Sequence, residues 1–225
     1  MTAPNARTRV KICGLTREED VDAAVDAGAD AVGFVLYAKS ARAVTAARAA
    51  ELALRLPPFV TPVLLFVNEA PATVLKALRS VPASWAQFHG DETPQQCLDA
   101  TDHGHFPFMR AARIPLDGPG IDLVRFASDY AAARALLLDA HVEGFGGGGK
   151  AFDWSRLPTN VSRHLVLSGG LTPANVGDGI AQVRPRCKTL AVDVSSGVEV
   201  SKGIKDPEKI HRFIAAVRAA DALSA

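Results

Sequence analysis

Polar side chains stand at the ends of several short apolar segments in this chain of 225 residues. Cys13 closes the segment RVKIC, His89 follows SWAQF, Asp139 closes RALLLD and Asp193 lies near the end of CKTLAVDV. Thiols, imidazoles and carboxylates are the groups that most often give and take protons in enzymes. Their recurrence at the same place in each segment predicts one site assembled from segment ends.

The segments themselves recur about every 25 to 30 residues, and Ala-rich stretches of helical periodicity separate them. This alternation is typical of repeated βα units. Eight strands are predicted, at residues 9–13, 31–36, 61–67, 84–88, 107–111, 134–139, 164–168 and 187–194. Eight units without a linker predict an α/β protein whose residues 1–225 form a single-domain (β/α)8 TIM barrel, with residues 1–8 as an N-terminal extension.

Helix start signals agree with these strands. Thr16 precedes Glu18 and Glu19, while the pairs Thr93-Pro94 and Thr172-Pro173 each place a proline at a first helical position. The last helix is predicted from Asp206 to Ala220. One face of that helix carries Ile210, Phe213, Ile214 and Val217, which is the spacing of a helix packed on a sheet.

In a (β/α)8 barrel the active site lies at the C-terminal ends of the strands, so its side chains must point inward there. Side chains alternate along a strand. If Cys13 points inward, Lys11 does too, and the apolar Val10 and Ile12 face the helices. The same alternation predicts an inward set at the other strand ends, namely Gln87, His89, Leu137, Asp139, Asp193 and Ser195. Because barrel interiors are usually apolar, this polar cluster indicates a site.

Two glycine-containing segments follow the seventh and eighth strands, Ser168-Gly169-Gly170 and Ser195-Ser196-Gly197. Glycine lets backbone N–H groups approach an anion closely, and barrels often bind phosphate at these two loops. The two segments together predict a phosphate site, although each alone is more often a tight turn.

Two further segments are defined by their composition. Residues 140–152, AHVEGFGGGGKAF, form a glycine-rich loop after the sixth strand, which we interpret as a mobile lid, with a flexible insertion as the alternative. The charged stretch from Lys202 to Lys209 is predicted to be a solvated loop and helix start.

Composition excludes several other classes. The chain has 25 Lys+Arg and 24 Asp+Glu, so no charge excess favours nucleic acid or an anionic membrane as a partner. Cys13, Cys97 and Cys187 form no C-x-x-C pair, and neither a metal nor another cofactor is predicted. Free thiols and the lack of an apolar N-terminal segment favour a cytoplasmic location.

Eight motifs in order carry a family resemblance. They are KICGLT at 11–16, GFVLYAKSAR at 33–42, LLFVN at 64–68, QFHGDE at 87–92, LLLDA at 136–140, AFDW at 151–154, LSGGLTPANV at 167–176 and VDVSSGVEVSKGIKD at 192–206. Through them nearly the whole chain resembles phosphoribosylanthranilate isomerase of tryptophan biosynthesis. The resemblance implies an Amadori rearrangement, in which the aminoaldose N-(5-phosphoribosyl)anthranilate becomes an aminoketose.

The resemblance also implies roles for individual residues. Asp139 would donate a proton to the furanose ring oxygen, and Cys13, as a thiolate, would remove the proton from the sugar C2. Arg42 would bind the anthranilate carboxylate. Phosphate would be held by Gly170, Ser195 and Ser196, and the sugar pocket would be lined by His89 and Asp193.

These roles require particular protonation states. An ordinary cysteine is only a few per cent thiolate at neutral pH, so the pKa of Cys13 is expected to be lowered by its surroundings, with Lys11 as the candidate source of positive charge. Asp139 must carry a proton to act as an acid, which burial or a neighbouring negative charge favours.

Several alternatives remain open at this point. His89 fits a hydrogen-bonded interior histidine, Arg42 an exposed surface arginine, and Asp139 a helix cap. A ribulose-phosphate epimerase would also need a phosphate site, but it requires metal ligands. A non-catalytic phosphate-binding barrel would need neither Cys13 nor Asp139. The expected partner is a small phosphosugar, and the expected assembly is a monomer or a homodimer.

Overall fold

A closed parallel barrel organises the protein. The computed structural model describes residues 7–116, 120–141, 153–159 and 161–223. Each strand pairs with the next along the chain, and the last barrel strand pairs with the first. The barrel strands are β1 Arg9–Cys13, β2 Ala31–Val35, β3 Thr61–Phe66, β4 Trp85–Phe88, β5 Phe108–Pro115, β6 Ala135–His141, β7 His164–Leu167 and β8 Thr189–Val194. The predicted α/β fold, a (β/α)8 barrel, is confirmed.

Helices surround the barrel. They are α1 Glu18–Ala27, α2 Ala46–Ala53, α3 Pro71–Ser80, α4 Pro94–Asp99, α5 Leu123–Asp129, α6 Val176–Val183 and α7 Pro207–Leu223. In the described part of the chain between β6 and β7, the only helical segment is the 3₁₀ turn Trp154–Arg156. The predicted lid lies outside the described residues except for Ala140 and His141, which belong to β6.

The strand predictions fall within two residues of the observed bounds, with one exception. The fifth strand was expected to end at residue 111, whereas β5 continues to Pro115. It does so because β5 and β6 pair at seven positions, from Met109 and Ala135 to Pro115 and His141, so each supplies hydrogen-bond partners to the other. Long-range pairing of this kind has no signature in a local apolar pattern.

The helix starts were predicted with mixed success. Thr93 caps α4 with a complete capping box, as expected. Thr16 does not cap α1: Arg17 holds that position, and the Thr16 hydroxyl donates to the carbonyl oxygen of Gly203. The prediction at Thr172 was also wrong, since α6 begins at Val176, after a turn in which the Asn175 side chain accepts from the backbone N–H of Thr172.

The core confirms the alternation along the strands. Outward residues such as Ile12, Phe88 and Leu138 pack with the helices in the largest apolar cluster. Inside the barrel, Leu137 lies in a separate cluster with Val63, Met109, Ala111, Ala135 and Val166. A third cluster, near the C-terminal ends of the strands, holds Cys13 with Val35, Leu65 and Val67.

A short hairpin follows the barrel. It consists of the 3₁₀ turn Ser196–Val198, β9 Glu199–Ser201 and the antiparallel β10 Ile204–Lys205, and it leads into α7. The four predicted apolar residues of α7 are all buried. Among the helices of the described ranges, none is long and apolar enough to cross a membrane.

Candidate active site

An ion pair joins two neighbouring strands inside the barrel, below the predicted site. Lys11 Nζ on β1 donates to Asp193 Oδ1 on β8 at 2.7 Å, and both side chains are about 5% exposed or slightly more. The Ser168 hydroxyl at the end of β7 donates to Asp193 Oδ2 at 3.2 Å. The inward direction predicted for Lys11 and Asp193 is therefore confirmed, and Asp193 is held by groups from two neighbouring strands.

Cys13 lies at the end of β1 and is buried. Burial raises the pKa of its thiol, and this desolvation outweighs the attraction of the Lys11 ammonium, which lowers the pKa. Asp193 also raises the pKa of the thiol, while Lys205 lowers it. The expectation of a lowered thiol pKa is wrong for the structure as it stands, because burial removes more solvation from the thiolate than the two lysines replace.

Two glycines make room for side chains of the candidate site, one for Cys13 and one for Arg42. Gly33 is the register partner of Cys13 on β2, and a Cβ atom at Gly33 would stand 2.7 Å from the Cys13 sulfur. Gly14 has φ +77°, and a Cβ atom there would approach Arg42 Cδ to 2.5 Å. A glycine inside a strand often marks a close approach, which is the signal that could have identified Gly33 from the sequence.

Asp139 is bound by His89. His89 Nε2 lies 2.9 Å from Asp139 Oδ2, and His89 Nδ1 lies 3.0 Å from Gln87 Nε2. All three side chains are buried and point into the barrel from β4 and β6, as the alternation predicted. Asp139 therefore is not a helix cap. The other carboxylate oxygen, Oδ1, faces Gly169, where a Cβ atom would stand 2.8 Å away.

Arg42 is not an ordinary surface arginine. Its Nε donates to Glu199 Oε1 at 2.7 Å and its Nη2 to Glu199 Oε2 at 2.8 Å, and its side chain is 13% exposed. The hydrogen bonds to Glu199 raise the pKa of Arg42. Glu199 occupies the edge formed by Nε and Nη2, and no other described residue hydrogen-bonds the edge formed by Nη1 and Nη2, so that edge can take a second carboxylate.

Lys205 completes this cluster. Its fully buried side chain donates from Nζ to Glu199 Oε1 at 2.9 Å and to the carbonyl oxygen of Ser195 at 3.1 Å. Burial lowers the pKa of Lys205, while Glu199 raises it. Burial by itself raises the pKa of Glu199, but Arg42 and Lys205 outweigh it and hold that pKa below its ordinary value.

Glu199 and Lys205 were not among the site residues predicted from the sequence. Lys205 belongs to the stretch 202–209 that was predicted to be solvated, and it is instead among the most buried side chains of the residues that the structure describes. A two-residue strand such as β10 is too short to show a periodic pattern.

The two predicted phosphate loops pack against each other. A Cβ atom at Gly197 would stand 1.9 Å from the carbonyl oxygen of Leu171, so the loops after β7 and β8 are in direct contact. Gly169 and Gly170 both have positive φ, +81° and +64°. Ser195 and Ser196 precede and begin the 3₁₀ turn after β8. Gly170, Ser195 and Ser196 therefore lie at neighbouring strand ends.

The candidate site residues all lie at the C-terminal ends of strands or in the loops that follow them. Cys13 on β1 and Asp139 on β6 are separated by β7 and β8, and the phosphate loops lie after those two strands. Across the described ranges, no group of three or more His, Cys, Asp or Glu side chains is arranged to hold a metal ion. The arrangement offers a thiol, a carboxyl group, a guanidinium edge and glycine loops around one space.

The fold and this set of groups define a barrel enzyme of acid–base chemistry. A family model described as N-(5'-phosphoribosyl)anthranilate isomerase matches residues 10–216. The enzyme of that name from Methylibium petroleiphilum is 62% identical over 216 residues, covering 96% of each chain, and that from Leptothrix cholodnii is 59% identical, covering 97% of this chain and 94% of its own. The chain belongs to the N-(5'-phosphoribosyl)anthranilate isomerase family.

Solved structures agree with this assignment. Phosphoribosyl anthranilate isomerase from Thermotoga maritima has a TM-score of 0.79 at 39% identity, with 94% of this chain and 99% of that chain covered. A phosphoribosyl anthranilate isomerase in complex with reduced 1-(o-carboxyphenylamino)-1-deoxyribulose 5-phosphate has a TM-score of 0.78 at 38% identity and the same coverage. The predicted family and enzyme class, an aldose–ketose isomerase of tryptophan biosynthesis, are confirmed.

Proposed function

We propose that the chain catalyses the Amadori rearrangement of N-(5-phosphoribosyl)anthranilate to 1-(2-carboxyphenylamino)-1-deoxyribulose 5-phosphate, with Asp139 as general acid and Cys13 as general base. The observation that carries this proposal is the placement of a His89-bound carboxyl group and a thiol at the same end of the barrel, on either side of the two glycine loops. Acid–base chemistry needs such a pair within reach of one substrate.

In the first step Asp139 gives its proton to the furanose ring oxygen. The bond between that oxygen and C1 breaks, and the lone pair of the anilino nitrogen forms a protonated Schiff base with C1. The ring oxygen becomes the C4 hydroxyl. Since His89 holds Asp139 Oδ2, the carboxyl group is fixed in orientation for this transfer.

In the second step the Cys13 thiolate removes the proton from C2. The electron pair of the C2–H bond moves towards the positively charged Schiff base and gives an enolamine. Tautomerisation of the enolamine places a proton on C1 and leaves a ketone at C2. The proton that Cys13 gained supplies the one added to C1, and the proton lost from the C2 hydroxyl returns to Asp139. Both groups are thereby restored, and the reaction balances without an external oxidant or reductant.

The thiolate needs positive charge around it. Lys11 and Lys205 both lower the pKa of Cys13, against the burial that raises it. Both ammonium groups are themselves held by carboxylates, Lys11 by Asp193 and Lys205 by Glu199. The role proposed for these lysines is to stabilise the thiolate once substrate binds.

Substrate binding is proposed to use the remaining groups. The free edge of Arg42 offers two parallel donors to the anthranilate carboxylate. Backbone N–H groups of Gly170, Ser195 and Ser196 would hold the phosphate, since positive φ and neighbouring glycines allow close approach. His89 and Asp193 would line the sugar pocket.

The proposal also covers the location, domain organisation, substrate class and assembly of the enzyme. We propose a cytoplasmic enzyme in which residues 1–225 form one domain and residues 1–8 are an extension. Its substrate is a small phosphosugar derivative rather than nucleic acid or membrane. A monomer or a homodimer is proposed, and a related structure concerns monomers of a dimeric phosphoribosylanthranilate isomerase from Thermotoga maritima.

Turnover of the fluorescent anthranilate substrate tests the proposal. Wild type should convert it, while Asp139→Asn and Cys13→Ser should each lose activity by about a hundredfold or more, the usual contribution of a general acid or base. Cys187→Ser, which changes a half-buried thiol away from the site, is the matched control and should keep full rate. Full activity in either site variant would overturn its assigned role.

A further inference from the structure

Gln87 is a buried residue close to Asp139, the proposed acid, and one of its polar atoms has no partner in the described part of the chain. Its side chain is fully buried on β4, and its Nε2 lies 3.0 Å from His89 Nδ1. Its carbonyl oxygen Oε1 is buried and has no hydrogen-bond partner among the described residues. Buried polar atoms are nearly always paired, so an unpaired oxygen next to a titratable pair calls for an explanation.

The side chains of Gln87, His89 and Asp139 can hydrogen-bond in two ways, which differ in the orientation of the Gln87 amide and in the number of protons held. In the first, Gln87 donates from Nε2 to His89 Nδ1, so the one imidazole proton sits on Nε2 and is donated to the Asp139 carboxylate. In the second, a half-turn of the amide brings Oε1 to Nδ1, where it accepts the Nδ1 proton. His89 Nε2 and Asp139 Oδ2 then share a second proton between them.

We propose that Gln87 is a positioning residue for the acid, and that rotation of its amide accommodates both protonation states of the His89–Asp139 pair. The proposal rests on the acid role of Asp139. The second state stores the proton that Asp139 gives to the ring oxygen. After that transfer one proton remains on the imidazole, and its move to Nε2 with a reverse half-turn of the amide restores the first state. An amide is suited to this because one end donates and the other accepts.

Other charges face the same space and enter the pH dependence. Arg113, the register partner of Asp139 on β5, is ion-paired with Asp91. From the opposite wall come Cys13, Lys11 and Asp193, the last two paired with each other. These charged groups are the same in the wild type and in the Gln87 variants. A difference in pH–rate profile between the wild type and a variant therefore reports on Gln87.

Two substitutions separate the proposal from a purely structural role. Gln87→Met keeps the length of the side chain and removes both polar ends, so neither state is satisfied. We expect kcat to fall by about tenfold to a hundredfold, less than the loss of the acid itself, while KM changes by less than about twofold. Gln87→Glu can only accept from Nδ1, so it holds the second proton to higher pH. The pH at which kcat declines as the acid loses its proton should therefore move upward. Gln182→Met, an exposed position on α6, is the control for the chemical change.

The outcomes are distinct. Wild-type kcat in Gln87→Met, or equal losses in both variants with an unchanged pH profile, would overturn the proposal. If neither variant folds, nitrogen NMR of His89 in the wild type decides, with its signals assigned by His89→Gln. The Nε2-protonated form should give way to a form protonated at Nδ1 as pH falls, and a single tautomer throughout would refute the switch. Full activity in Asp139→Asn would overturn the proposed function itself. If Asp139→Asn is inactive and the Gln87 variants keep wild-type kcat and pH profile, only the role of Gln87 is overturned.

Discussion

Arg42 and Glu199 meet edge to edge. The Nε and Nη2 atoms of the guanidinium each lie within 2.8 Å of a different carboxylate oxygen, which is the bidentate geometry that fixes a guanidinium in its own plane. Glu199 in turn receives Lys205, whose ammonium also reaches Ser195 in the loop proposed to bind phosphate. The group proposed to bind the anthranilate carboxylate and the loop proposed to bind phosphate therefore share one buried network.

Arg42→Lys should weaken substrate binding while leaving the chemical step nearly intact. Lysine keeps the positive charge but cannot bridge Glu199 and a substrate carboxylate with two parallel pairs of donors. We expect KM to rise by about tenfold, the loss of about 1.4 kcal/mol of binding, with kcat changed far less. Steady-state kinetics measure both. Arg48→Lys, at an ion pair on the surface, should behave as wild type; an unchanged KM in Arg42→Lys would refute the carboxylate role.

Glu199→Gln should destabilise the fold more than Lys205→Met. Removing the carboxylate leaves a fully buried ammonium and the Arg42 guanidinium without their common partner, and breaking a buried pair in this way costs about 3–5 kcal/mol. Removing the ammonium leaves Glu199 still paired with Arg42, so the loss should be smaller. Urea denaturation of both variants gives the comparison. The reverse order of stabilities would show that Lys205, and not Arg42, is the principal partner of Glu199.

Part of the site could be predicted from the sequence, because side chains along a strand point alternately into and out of the barrel. Once Cys13 is placed inward at the end of a strand, alternation along the other strands brings Gln87, His89 and Asp139 to the same interior, and the structure confirms those directions. Apart from the end of β5, the strand bounds were also predictable to within two residues, because apolar runs and turn residues are local signals.

Other features of the site could not be predicted, because they depend on burial in the folded protein and on contacts between residues far apart in the sequence. Arg42 and Glu199 are 157 positions apart, so no local pattern links them. Lys205 belongs to a charged stretch that is typical of solvent-exposed loops, and only its contact with Glu199 and Ser195 makes its burial tolerable. The direction of the Cys13 pKa likewise depends on the balance between burial and two lysines, which requires the folded structure.

Gly33→Ala should impair catalysis through Cys13. The added Cβ would stand 2.7 Å from the Cys13 sulfur and 3.1 Å from the Cys13 Cα, so the thiol must move from its present position. A misplaced base lowers kcat, for which we expect about tenfold to a hundredfold. Gly177→Ala in α6 is the matched control, since its Cβ would meet only Ala220 at an ordinary 3.9 Å. Equal kinetics in the two variants would show that the Gly33 contact does not position the thiol.

Lys11→Met should move the rising limb of the pH–rate profile to higher pH. The rate of C2 deprotonation follows the thiolate fraction, so it rises with pH as Cys13 ionises. Lys11 lowers the pKa of Cys13 and Asp193 raises it, so removing the ammonium alone makes the thiolate rarer at any pH below that pKa. A rise of one pKa unit reduces activity at neutral pH by about tenfold, and the loss should be recovered at alkaline pH.

Two further variants test whether the charge of Lys11 causes the shift of the pH–rate profile. Lys11→Arg keeps the charge and should leave the limb near its wild-type position. Lys11→Met combined with Asp193→Asn removes both charges, and because Asp193 raises the pKa of Cys13, the limb should return part of the way towards lower pH. Profiles of kcat/KM are compared at a temperature where circular dichroism shows every variant folded, because Lys11→Met leaves the buried Asp193 carboxylate without its ammonium partner. A limb that does not move in Lys11→Met would mean that the thiolate is stabilised by other groups, with Lys205 the first to test.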